Sequence, residues 1–237
     1  MEQNSFKKGI IDGLPICVGY FAVSFAFGIF AVAQGLSWLE AVLISATNLT
    51  SAGQLAGVPI IAGGGTFAEL CISQLVINSR YSLMSVSLSQ KLSRKVKLWQ
   101  RFLIAFGNTD EIFAVATANK NSVGSRYMYG LILTPLLGWT GGTLLGAVAG
   151  DVLPAIVVTS LGVAIYGMFI AIVVPQIKGE KSAAFCAAVA ILLSCLFRYV
   201  PLLAKVPSGF TIIICAIVAA LLAALLFPLP EKEDEAA

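Results

Sequence analysis

The 237 residues contain no histidine. That removes the commonest protein metal ligand and the commonest general base near neutral pH. Charge is scarce as well, at 11% of residues against 58% hydrophobic, and the mean hydropathy is +0.92. Too little polar surface is left to cover a soluble globule, so the composition predicts an all-α polytopic membrane protein. The five cysteines, Cys17, Cys71, Cys186, Cys195 and Cys215, are odd in number, form no CxxC pair and all fall inside apolar segments. They read as small buried hydrophobes rather than a disulfide or metal framework. No GxxxxGK[S/T] loop occurs, so energy from a nucleotide bound to this chain is excluded. No cofactor is expected. The net charge of +3 carries no nucleic-acid signal, because the basic residues lie in short loops between apolar runs, where they set topology. No linker is long enough to separate domains, so residues 1–237 are expected to form one integral-membrane domain, with a solvated acidic tail over 230–237.

Long apolar runs are what the chain has in quantity. Leu14–Ala33, Phe67–Leu88, Tyr127–Gly150, Ala155–Ile177, Ala183–Leu203 and Gly209–Leu229 each reach the length of about 20 residues that crosses a bilayer. The first follows Lys7 and Lys8 and ends in Ala31-Val32-Ala33, as a signal peptide would. It exceeds the roughly 7–15 apolar residues of a signal core, so it is read as a retained helix. Gly138, Gly142, Gly146 and Gly150 recur every four residues and form one stripe at 3.6 residues per turn. Such a stripe predicts a helix contact at backbone distance, a packing signal silent on chemistry. Gly19 and Gly28 suggest close contacts for the first helix.

Arg80 lies inside the run Phe67–Leu88, with Asn78 and Ser79 before it. An arginine at the centre of a spanning helix costs roughly 2.5–3.5 kcal/mol on insertion scales, so it is placed where it meets a partner or a water-filled cavity. Arg80 is therefore a candidate site residue; the alternative is that its stem snorkels to a headgroup. Two other stretches do not read as plain spans. Trp38–Gly65 carries Asn48-Leu49-Thr50-Ser51-Ala52-Gly53-Gln54, then Pro59 and three successive glycines. Phe102–Ala118 is short and interrupted by Gly107-Asn108-Thr109-Asp110-Glu111. Broken backbone at membrane depth is tolerated only where protein or a water-filled cavity satisfies its polar groups, and transporters bind substrate at such breaks. The alternatives are an ordinary span with polar residues turned to its neighbours, and for Asp110 and Glu111 a helix start capped by Thr109.

Loop charge arbitrates the topology. If every apolar stretch crosses from a cytoplasmic N-terminus, Lys91, Arg94, Lys95, Lys97 and Arg101 lie outside, against the positive-inside rule. If the two broken stretches each enter and leave on one side, these residues lie inside with Lys7, Lys8, Lys120, Arg126, Lys178, Lys181 and Lys232, and only Lys205 is outside. The expected architecture is about six full spans plus two re-entrant or broken elements, both termini cytoplasmic, with seven to eight crossings as the alternative.

Gly28, Ser51-Ala52-Gly53-Gln54, Ile77-Asn78-Ser79-Arg80-Tyr81 and Thr109-Asp110-Glu111-Ile112-Phe113-Ala114 together resemble, in order and spacing, the successive motifs of the AzlC family. The resemblance runs from about Gly9 to Pro230. It implies the large subunit of a branched-chain amino acid exporter in the bacterial inner membrane, working with a small AzlD-type membrane subunit. Where family members carry an Asn-Leu-Arg-His run followed by a Tyr-Ser pair, this chain has Asn78-Ser79-Arg80-Tyr81, then Leu83-Met84-Ser85, so no role of that histidine carries over. The expectation is a secondary transporter, not an enzyme, exporting small zwitterionic amino acids. Arg80 with Asn78 would hold the carboxylate, Asp110 or Glu111 would meet the ammonium or take a coupling proton, and Asn48, Ser51 and Gln54 would line the broken segment. The rival reading is an accessory membrane subunit whose glycine stripe docks the partner that carries the substrate.

Overall fold

The structure, a computed structural model, describes residues 4–150, 156, 170, 173–174 and 177–228. Among them every regular element is helical, with one isolated bridge joining Leu92 and Val123. The helices are α1 (Phe6–Ala33), α2 (Trp38–Thr47), α3 (Ser51–Ala62), α4 (Phe67–Lys91), α5 (Leu98–Phe106), α6 (Asp110–Ala118), α7 (Ser125–Gly150), α8 (Lys181–Tyr199) and α9 (Ser208–Leu226). The expected span Ala155–Ile177 and the acidic tail fall largely or wholly outside the described residues. The all-helical polytopic membrane class is what is found: α1, α7, α8 and most of α9 are long and apolar enough to cross a bilayer. Their outward apolar residues, Val18, Leu137, Leu192 and Leu225 among them, stay exposed within the fold, as lipid-facing residues must.

α1 starts eight residues earlier than its apolar run. Ser5 caps it by accepting from Lys8 N–H, and Pro15 is accommodated inside the helix. At 1.5 Å per residue its 28 residues measure about 42 Å.

α1 and α7 form the central pair, and they run parallel. Gly9 lies against Tyr127, Cys17 against Gly138, Phe21 against Gly142 and Phe25 against Gly146, so the numbering rises together along both helices. A Cβ at Gly138, Gly142 or Gly146 would stand 2.6, 2.4 and 1.9 Å from a carbonyl oxygen of α1. The stripe is thus used as expected, and Gly28 reciprocates, 2.2 Å from Thr143 O by the same construction. Gly19 is different: nothing lies within 4 Å of its Cβ position, because it faces a cavity rather than a helix.

The two broken stretches are hairpins of half-helices. α2 leaves the far end of α1 and descends to Ser45, which meets Thr143; α3 then rises so that Val58 shares a core with Phe27, Ala31, Ala41 and Ala147. The hairpin enters and leaves at the end holding Ala33 and Gly63. α5 and α6 do the reverse. Val96, Ile104, Ile112 and Ala116 pack with Val123, Tyr127 and Leu131, and Asn119 reaches the Tyr127 hydroxyl at 3.2 Å, so this hairpin enters and leaves at the basic end of the molecule. α4 runs between the two ends, its Gln74 bonded to Gly53 O near one hairpin and its Ser85 to Asn108 in the other. Residues 6–62 and 67–118 therefore share one plan, a long helix followed by a re-entrant hairpin, laid in opposite directions, as in transporters built from inverted repeats.

Two outcomes test this packing. Gly146→Ala should destabilise by about 1–3 kcal/mol, the usual cost of overpacking, and be read as lower detergent-solubilised yield and melting temperature, while Gly141→Ala, with nothing within 4 Å of its Cβ, should match the parent. Single cysteines at Gly64 and Ser93, in a background without the native five, should label from opposite sides of the membrane; labelling from one side overturns the direction assigned to α4.

Candidate functional site

The tips of the two hairpins meet beside the α1–α7 pair and enclose a cavity of about 690 Å³. That lies within the range of roughly 300–1,000 Å³ typical of small-molecule sites. Ser51 and Ala52 bring the first turn of α3 to its wall, and Thr109, Asp110 and Glu111 bring the first turn of α6. α1 contributes Ile16, Gly19, Tyr20 and Val23, α4 contributes Arg80 and Tyr81, and α7 contributes Trp139. Most of the wall is apolar, and its charged groups cluster at the α6 tip.

Thr109 caps α6, its hydroxyl accepting from Ile112 N–H at 3.5 Å, and so sets both carboxylates in the first turn, where the positive end of the helix dipole favours them. Asp110 Oδ2 pairs with Arg80 Nη2 at 2.7 Å, with both side chains about half exposed. The guanidinium also donates to the Tyr81 hydroxyl at 3.2 Å and lies 4.9 Å from the centre of that ring. Arg80 therefore does not snorkel to a headgroup; it points at the hairpin tip. Glu111 accepts from the Tyr20 hydroxyl, which also sits 2.7 Å from Thr109 Oγ1. Tyr20 in turn packs edge-to-face on Trp139, ring centres 5.2 Å apart. Across the cavity, Thr50 precedes α3 without capping it through its side chain, which leaves N–H donors of the first α3 turn available near Ser51.

The structure brings Ser51, Arg80, Asp110 and Glu111 together on one cavity and sets the other three sequence candidates aside. Gln54 is a correction to its expected place: it is 1% exposed, donates to Ser45 Oγ and accepts from Trp139 Nε1, each at 2.9 Å. With Ser45 Oγ 2.7 Å from Thr143 Oγ1, this closes a buried network that pins the α2–α3 hairpin to α7. Burial without those partners would cost each polar group about 1–3 kcal/mol, which is why Gln54 turns away from the cavity. Asn78 donates to Gln74 Oε1 at 3.1 Å on the α3 side of α4, and Asn48 ends α2 through its backbone; neither lines the cavity. Tyr20, Tyr81, Thr109 and Trp139 were not legible as site residues, since an aromatic within an apolar run looks like any core or interfacial residue. Among the described residues no cluster of three or more His, Cys, Asp or Glu could hold a metal.

Gln54→Leu should lower thermal stability, by roughly 1–3 kcal/mol for the stranded Ser45 and Trp139 groups, and leave ligand affinity in the folded fraction close to that of the parent. Melting curves and ligand titration on the same preparation separate the two effects.

The family model described as AzlC protein matches residues 15–153, which includes both hairpins and α7. A membrane protein of Archaeoglobus fulgidus described as uncharacterised is 32% identical over 177 residues, 74% of this chain and 77% of its own length. The inner membrane protein YgaZ of Escherichia coli is 30% identical over 192 residues, 78% of each chain. The branched-chain amino acid transport protein AzlC of Bacillus subtilis is 23% identical over 150 residues, 62% of this chain and 58% of its own length. No solved structure is significantly similar. The chain, with its paired hairpins and charged cavity, belongs to the AzlC family of membrane proteins.

Proposed function

We propose that this protein is a secondary transporter that carries small zwitterionic amino acids, branched-chain ones among them, out of the cytoplasm through the cavity between the hairpin tips. The observation that carries the reading is the Arg80–Asp110 pair on the wall of an otherwise apolar cavity. A zwitterion inserted into that pair satisfies both partners at once. Its carboxylate takes the planar fork of Arg80, with the first turn of α3 at Ser51 as a second donor, and its ammonium takes Asp110. Ile16, Val23, Leu49 and Trp139 offer the apolar wall that a branched side chain needs.

Charge placement supports the orientation. The bacterial inner membrane is the setting, with the end bearing Lys91–Arg101 in the cytoplasm and both termini on that side, following the positive-inside rule. The relative named for branched-chain amino acid transport supports the substrate class. A small AzlD-type membrane subunit is the expected partner. α8 has no buried residue among those described, so its apolar surface is available for such contact. Because the charge pair and the cavity lie within this chain, the transporter reading is favoured over that of an accessory subunit.

The test is flux and competition in vesicles holding the purified protein with and without its small partner. Leucine should compete for uptake, whereas 4-methylpentanoate and 3-methylbutylamine, which each lack one charge, should compete at least about tenfold more weakly. That ratio corresponds to losing one charge-assisted hydrogen bond of roughly 1.5–3 kcal/mol. Equal competition by the amine overturns the paired recognition. Arg80→Lys should insert at parent abundance yet transport about 10- to 100-fold more slowly, because lysine keeps the charge and loses the fork.

A further inference from the structure

The charged groups of the cavity do not balance. Arg80 is the cation; Asp110 and Glu111 are the two carboxylates. No further cation can come from the wall-forming stretch 152–176, because those residues contain no Lys or Arg, and the chain has no histidine. Arg80 is committed to Asp110, so Glu111 has only the Tyr20 hydroxyl as a donor in the structure. Resting on the transporter reading above, we infer that Glu111 is the proton-binding site of the carrier, protonated when the cavity is empty and deprotonated when a zwitterion arrives.

The surroundings of Glu111 suit both protonation states. The groups facing it are Tyr20 from α1, Arg80 and Tyr81 from α4, and Thr109 and Asp110 on its own tip, with Trp139 of α7 behind Tyr20. The Tyr20 hydroxyl has one proton and two oxygen partners, Glu111 and Thr109 Oγ1. When Glu111 is ionised, Tyr20 donates to it. When Glu111 is protonated, its O–H donates to the Tyr20 oxygen and the phenol turns its own proton to Thr109. No buried polar atom is stranded in either state, which is the condition for a proton to be taken up and given back cheaply.

Substrate supplies the trigger. A zwitterion adds no net charge, but its ends are placed unequally. The ammonium sits at Asp110, one residue from Glu111, and the carboxylate sits at Arg80. The nearer positive end favours ionised Glu111, so the proton leaves as the substrate binds. By reciprocity a bound proton weakens substrate binding to the same degree. The proton passes from the Glu111 carboxyl to water in the open cavity and is replaced from the other side after the substrate has left, which gives exchange of one amino acid for one proton. No covalent bond other than that O–H is made or broken.

Proton release on leucine addition to the purified protein, in weakly buffered detergent solution with a pH dye, tests the assignment together with the pH dependence of leucine binding. The parent should release close to one proton per leucine bound near the pH midpoint of its affinity, and its affinity should fall as pH is lowered. Glu111→Gln should release none and bind with an affinity that no longer varies with pH. Tyr20→Phe removes the donor that favours the ionised carboxyl, so its pH midpoint should move upward; this variant also covers the case in which Glu111→Gln does not accumulate. Failure of the parent to bind leucine overturns the transport reading and this one together. Leucine binding without proton release, release that persists in Glu111→Gln, or a requirement for sodium in place of a pH dependence overturns this inference alone.

Discussion

The backbones of α1 and α7 touch, and the rest of the protein is arranged around that contact. Phe25 O lies where a Cβ of Gly146 would be, and Phe21 O and Cys17 O do the same at Gly142 and Gly138. In lipid there is little hydrophobic gain in bringing two apolar helices together, so close van der Waals packing between small residues has to supply it. Two parallel helices this close leave a groove on either side. The α2–α3 hairpin fills one part of it from the end at Ala33, and α5–α6 enters from the opposite end.

The hairpins differ in how they are held. α2–α3 is fixed to α7 by a buried chain from Trp139 through Gln54 and Ser45 to Thr143, none of which a ligand can reach. The α5–α6 tip is tied to α4 and α1 by Arg80–Asp110, Tyr20–Glu111 and Asn108–Ser85. The first two of these bonds lie on the cavity itself. A substrate that exchanges for them acts directly on what holds this tip, so binding and hairpin movement are linked through the same few groups. Glu69, the other membrane-depth carboxylate with a resolved role, is used structurally. Buried to 4%, it accepts from Gly209 N–H at 2.7 Å and so seats α9 against α4.

A good part of this was legible in the chain. Membrane class followed from composition, because no arrangement of 58% hydrophobic residues hides them all from water. The breaks at Asn48–Thr50 and Gly107–Thr109 were visible because helix-breaking and capping residues interrupt otherwise apolar runs, and the glycine stripe because a spacing of four lies on one helix face. Arg80, Asp110 and Glu111 stood out because charge at membrane depth is costly unless a partner or water is provided.

What the sequence by itself determined is therefore an all-helical membrane chain with two interrupted elements and an isolated set of intramembrane charges, since each rests on a local cost that spacing and residue type reveal. Only the tertiary structure decided that Arg80 pairs with Asp110 and leaves Glu111 to Tyr20, that Gln54 is a buried tie rather than a cavity group, and that Gly19 opens onto space while Gly28 meets backbone. Those outcomes depend on the parallel register of α1 with α7 and on the depth at which each hairpin turns. Both are set by contacts between residues some 90 to 120 positions apart, such as Tyr20 with Thr109 and Phe25 with Gly146, which no local spacing encodes.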